Sequence, residues 1–136
     1  MTRAQLEHII RAAATIADDD EIVVFGSQSI LAQFPDAPSE LLVSNEADVY
    51  PKNHVERSDL VDGSIGELSP FHDLYGYYAQ GVGPETATLP PGWQDRLCTS
   101  MSVSRRRFVP ASPSTSRFHP EGTTALGTLV EPSRAR

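Results

Sequence analysis

The sequence has a single cysteine, Cys98, so no disulfide can form within the chain. Positive charge is scarce. Lys52 is the only lysine, and Asp and Glu outnumber Lys and Arg by 18 to 11, which leaves a net charge of -7. That balance argues against broad, charge-driven binding of a nucleic-acid backbone. No apolar run approaches the roughly 18 residues that span a bilayer. The first residues, Met1 to His8, are interrupted by Thr2, Arg3, Gln5 and Glu7, which breaks the apolar core a secretory leader needs. A cytoplasmic location without membrane association is the expectation. The four histidines, His8, His54, His72 and His119, lack the spacing of a metal site. Cys98 has no neighbouring His or Asp that would make it a nucleophile.

What remains is 136 residues with 39% hydrophobic content, enough for one domain with a modest core. A compositional seam divides it near residue 97. Residues 1–96 hold 5 Lys and Arg against 16 Asp and Glu, whereas residues 97–136 hold 6 Arg against 2 Glu. The second segment is rich in Ser, Arg, Pro and Thr and sustains no apolar period. It reads as a low-complexity, disordered or irregular tail, because little apolar surface is available to offset ordering entropy. Two origins are open. Arg105, Arg106 and Arg107 can bind an acidic partner, or the segment is an accidental, out-of-frame translation product, which suits its composition better.

Residues 1–96 alternate between helical and strand patterns. Leu6, Ile9, Ile10, Ala13, Ile16 and Ala17 form one apolar stripe, which predicts a helix over 3–17. Glu21 to Phe25 is a β-branched run typical of a buried strand. Gly26 and Ser27 stop it, and Gln28 to Phe34 offers two helical turns before Pro35. Glu46 to Tyr50 predicts a second strand, Val55 to Leu68 a helix broken near Gly63, and Ser69-Pro70 the start of a short helix ending at Gly76. Tyr77 to Val82 is a third strand candidate, and Trp93 is expected to pack back on the core. The order predicts an α/β or α+β fold, a small mixed sheet flanked by helices.

Chemistry concentrates between Gly26 and Asp48. A strand that ends in Gly-Ser before a helix lets an anion approach the backbone closely, and Ser27 adds a hydroxyl donor. Glu46 and Asp48 sit two apart on a strand. Alternation places both carboxylates on one face, about 7 Å apart along the backbone, a spacing at which they can share divalent ions. Ala47 and Val49 then point to the core. Donors for phosphates and carboxylates for Mg²⁺ are the two requirements of phosphoryl transfer.

The segments Val24 to Leu31 (VFGSQSIL), Ser44 to Pro51 (SNEADVYP) and Tyr77 to Trp93 (YYAQGVGPETATLPPGW) together resemble the polymerase-beta-like nucleotidyltransferase superfamily, and within it the minimal nucleotidyltransferase-like family DUF6036. The resemblance covers residues 6–96 and stops at the seam. It implies nucleotide contacts at Gly26 and Ser27, and Glu46 and Asp48 as catalytic residues and metal ligands. It implies Mg²⁺ as cofactor and an NTP as substrate, with RNA or protein as acceptor. Because relatives include toxins of bacterial toxin–antitoxin modules, it also implies a cognate antitoxin or neighbouring-gene partner. The sequence departs from the pattern in three ways. The first carboxylate is Glu rather than Asp, no Arg or Lys follows Ser27 on its helix, and no third carboxylate is evident. These departures keep open a catalytically inactive binding module or a truncated remnant.

Overall fold

Thr2 sets the start of the first helix, α1 (Arg3–Ala17). The backbone N–H of Gln5 donates to the Thr2 hydroxyl at 3.3 Å, and the Thr2 N–H donates to the Gln5 side chain at 2.7 Å. This reciprocal cap satisfies two N–H groups that a helix start otherwise leaves open. The helix ends where Asp18 turns left-handed, with φ 49°. Leu6, Ile9, Ile10, Ala13, Ala14 and Ala17 are buried, as the apolar stripe requires. Each fully buried Leu or Ile contributes about 2 kcal/mol of transfer free energy before entropy is subtracted.

The computed structural model describes residues 1–86, 89, 91–105 and 123–130. After α1 the chain forms β1 (Glu21–Phe25), β2 (Glu46–Pro51), α2 (Ser58–Ile65), α3 (Pro70–Tyr75), β3 (Tyr78–Gly81), β4 (Leu97–Arg105) and β5 (Thr123–Val130). The five strands make one mixed sheet in the order β3-β2-β1-β5-β4. β1 is antiparallel to β2 and parallel to β5, β2 is parallel to β3, and β4 is antiparallel to β5. The fold is therefore α+β, with a mixed sheet and helices packed on it.

The sheet buries both faces of β1. Ile22 and Val24 join Ala47, Val49 and Ala79 against the apolar stripe of α1 and against Val61 and Ile65 of α2. Val23, Phe25 and Tyr50 form a second cluster on the opposite face, covered by Val55, Val82, Leu89, Trp93 and Leu97. The Trp93 ring meets Tyr50 edge-on at 6.4 Å, so Trp93 packs back as its position suggests. Gly81 lets α2 approach β3 closely, because a Cβ there would stand 2.1 Å from the Ser58 carbonyl oxygen.

Three local expectations need adjustment. The segment after Gly26 is a short 3-10 helix, Ser27–Ala32, rather than two α-helical turns through Phe34. The helix expected over 55–68 is split. Val55–Arg57 is a 3-10 turn, α2 runs only to Ile65, and Gly66 ends it with extended backbone. The third correction concerns the tail. Leu97–Arg105 and Thr123–Val130 are strands of the sheet, where composition predicts an irregular segment. The physical reason is the edge of β1. Without β5 this strand, buried from Ile22 to Phe25, would pair on one side only, and pairing satisfies its N–H and C=O groups whatever the charge of the added strand. Residues 106–122 and 131–136 of the expected tail, including Arg106, Arg107 and His119, lie outside the described residues.

Candidate functional site

Antiparallel pairing of β1 and β2 brings the middle of the carboxylate strand to the end of the first strand. Phe25 is the register partner of Asp48, so Gly26, one residue on, lies beside the Asp48 side chain. Gly26 has φ 80° and ψ -163°, a conformation that side-chain-bearing residues rarely adopt. The turn is tied by Ser29, whose hydroxyl and backbone N–H donate to the Gly26 carbonyl at 2.7 and 3.2 Å. The Asp48 Oδ2 atom lies 3.0 Å from the point where a Cβ on Gly26 would stand. Glycine is thus needed here twice, for the backbone angle and for the space.

Asp48, Gly26 and Phe25 line an open cleft of about 440 Å³, together with Gln80, Val82, Thr86 and Leu89. That size suits a small ligand. Its floor is apolar, and its polar groups are the Asp48 carboxylate, the Gln80 amide and the Thr86 hydroxyl. No Lys or Arg stands among the described residues that line it.

Alternation along β2 works as the sequence predicts. Ala47 and Val49 are buried against the helices, while Glu46 and Asp48 share the opposite face. Glu46 stands two residues from Asp48 on this face, near enough for its carboxylate to act on that of Asp48. Burial, the hydrogen bond with Glu46 and the Glu46 charge push the Asp48 carboxyl up to about 6. At neutral pH the pair is therefore a partly desolvated concentration of negative charge. Among the described residues, no group of three or more His, Cys, Asp or Glu side chains is placed to hold a metal ion.

Glu46 does not line the cleft itself. Its carboxylate is held on the β3 side, where the Tyr78 hydroxyl donates to Glu46 Oε2 at 2.8 Å. That hydrogen bond, then burial, pushes the Tyr78 hydroxyl up to about 12. Ser27 is exposed and also stands outside the lining, with its hydroxyl accepting from the Gln28 side-chain amide at 3.3 Å. Two of the four sequence-predicted residues therefore line the cleft. Gly26 and Asp48 meet in the cleft, whereas Glu46 shares the strand face of Asp48 outside the lining and Ser27 is exposed outside it.

Other candidates fall elsewhere. Lys52 pairs with Glu21 at 2.5 Å at the far end of β2. The His8 Nδ1 atom lies 2.6 Å from the Tyr77 hydroxyl, among the rings of Phe71 and Tyr75. The His72 ring packs on Tyr78 at 4.5 Å. Sequence reasoning assigned no role in the site to Tyr78, Gln80 or Thr86. A register argument could have found Tyr78 and Gln80. β3 is parallel to β2, with Glu46 opposite Tyr78 and Asp48 opposite Gln80, so all four side chains share one face.

Comparison of the chain with family models, with curated proteins and with solved structures finds no match in any of the three.

Proposed function

We propose that the protein is a cytoplasmic, Mg²⁺-dependent nucleotidyltransferase that moves a nucleotide from an NTP to a hydroxyl of RNA or protein, as one component of a toxin–antitoxin type module. The observation that carries this reading is the meeting of Asp48, backed by Glu46, with the Gly26 turn on the wall of one cleft. The resemblance of VFGSQSIL and SNEADVYP to minimal nucleotidyltransferases supports it, because it is these two segments that β1–β2 pairing joins.

The carboxylate pair fits a hard divalent cation. Both groups offer oxygen ligands, they share one face of β2, and no Lys or Arg among the cleft-lining residues offsets their charge. Asp48 and Glu46 would hold such an ion, with further coordination from phosphate oxygens and water. When bound, Mg²⁺ supplies the positive charge that phosphoryl transfer requires. The chain's own contributions are distinct. Because Gly26 carries no Cβ, the Asp48 carboxylate can stand directly against the turn, where it would present a metal ligand beside the backbone. The apolar floor of Phe25, Val82 and Leu89 excludes water from one side of the bound nucleotide. Gln80 can fix its orientation through hydrogen bonds, and the Thr86 hydroxyl, which donates to the Gly83 carbonyl, can accept one.

A second reading has its own support. Neither a third carboxylate nor a cationic side chain stands with the pair among the described residues, which favours a catalytically inactive module that binds a nucleotide or a partner protein.

Each α-labelled NTP is incubated with the full chain, Mg²⁺ and total bacterial RNA or protein. The expected outcome is label on one acceptor class, lost in Asp48→Ala with the fold intact by circular dichroism. Transfer that persists in Asp48→Ala overturns the site. Calorimetric binding of an NTP with Mg²⁺ but without transfer selects the second reading.

A further inference from the structure

On the basis of the proposed metal-dependent function, we propose that Tyr78 is a positioning residue, whose hydroxyl holds the Glu46 carboxylate beside Asp48 so that the two can grip one divalent cation. Two carboxylates on alternate residues of one strand have no intrinsic reason to meet. Like charge drives them apart, and a Glu side chain has enough free torsions to swing into solvent. Here they adjoin. The Tyr78 hydroxyl donates to Glu46 Oε2 at 2.8 Å, which takes up one carboxylate oxygen and limits the rotamers of Glu46.

The tyrosine is itself braced. The parallel register sets Tyr78 directly opposite Glu46, so the bond spans neighbouring strands rather than a loop. Its ring lies 4.5 Å from that of His72, at an interplanar angle of 46°. His72 is fixed in turn, because its Nδ1 accepts from the Leu68 N–H at 3.1 Å and its own N–H donates to the Ser69 hydroxyl at 3.2 Å. At the other end, the Glu46 N–H donates to the Ser44 hydroxyl at 3.1 Å, which anchors the start of the strand. The Glu46 backbone is thus tied at Ser44 while its carboxylate is held by Tyr78. A ligand held in place before the ion arrives loses less conformational entropy on binding, so affinity rises without any added contact.

The test is Tyr78→Phe, which removes one oxygen atom and keeps the ring on His72. Mn²⁺ is titrated into the full chain, with binding read from water-proton relaxation. Tyr78→Phe is expected to weaken Mn²⁺ binding at least fivefold with an unchanged thermal midpoint, while Tyr75→Phe leaves binding unaltered. A double-mutant cycle separates positioning from a general structural effect. If Tyr78 acts through Glu46, Tyr78→Phe causes no further loss in the Glu46→Gln background. Full additivity of the two substitutions overturns the proposal. So does equal Mn²⁺ affinity, within twofold, for wild type and Tyr78→Phe, and that result leaves the metal-dependent reading standing. Failure of the wild-type chain to bind Mn²⁺ overturns that reading and the role of Tyr78 together.

Discussion

Asp48 Oδ2 occupies the space beside Gly26 that any side chain at position 26 would need, 3.0 Å from the site of the missing Cβ. The turn and the carboxylate are thereby linked. Gly26→Ala has to relieve two costs together, a backbone at φ 80° and a contact with Asp48. A strained non-glycine position costs on the order of 1–3 kcal/mol. The variant is expected to unfold at lower urea concentration than wild type and to release Asp48 from its present rotamer. A chemical denaturation curve measures the first effect, and the carboxyl carbon shift of Asp48 reports the second. An unchanged midpoint would show that the turn is free to relax.

Asp48 is a source of instability that function would explain. Burial and the nearby Glu46 carboxylate raise its carboxyl from 3.8 to about 6. The folded state thus holds a proton more tightly than the unfolded chain does. The resulting stabilisation is complete below about pH 4 and is lost as pH rises through about 6. Asp48→Asn cannot ionise and keeps its neutral form throughout. Because the site is partly open to solvent, the gain over wild type at pH 7.5 is expected to be about 1 kcal/mol, and the difference should shrink towards zero at pH 4. Urea melts at the two pH values check this. A larger gain at the acid end would contradict it.

Asp19 behaves in the opposite sense. It is 3% exposed and accepts four hydrogen bonds, from the Glu21 N–H at 3.0 Å, the Asn53 N–H at 2.8 Å, the Asn53 amide at 2.9 Å and the His54 N–H at 3.1 Å. Burial pushes its carboxyl up, but these donors outweigh burial and hold it below the ordinary carboxylate range. The stabilisation is present above the ordinary carboxylate pKa and is lost as pH falls through the lowered folded value. Asp19→Ala strands several partly buried donors and is expected to cost about 3 kcal/mol at pH 7. A thermal melt with a midpoint within a degree of wild type would refute this role.

Much of this architecture was legible in residue order because the signals were local. The stripe of Leu6, Ile9, Ile10 and Ala13 marked α1, and the Thr2–Gln5 cap and left-handed Asp18 lie at its predicted ends. The Ser69-Pro70 start and Gly76 stop likewise bound α3. The inward turn of Ala47 and Val49 followed from strand alternation alone. Long-range pairing was harder to read. Nothing near Thr123–Val130 signals that its partner is β1, about a hundred residues away, so polar composition suggested a tail. The same limit hid Tyr78 and Gln80. Their place beside Glu46 and Asp48 depends on the β2–β3 register, which no single segment encodes. The role of Asp19 was equally hidden, because its donors Asn53 and His54 arrive from a distant turn.

The strand order carries a kinetic consequence. β1 is made early, but its neighbour β5 closes the register only when residues 126 to 129 are in place. A ribosome therefore extrudes most of the chain while one flank of Ile22–Val24 still lacks its ladder. Contacts so far apart in sequence nucleate slowly. During that interval the open flank is the surface on which nascent chains would associate with one another or with a chaperone.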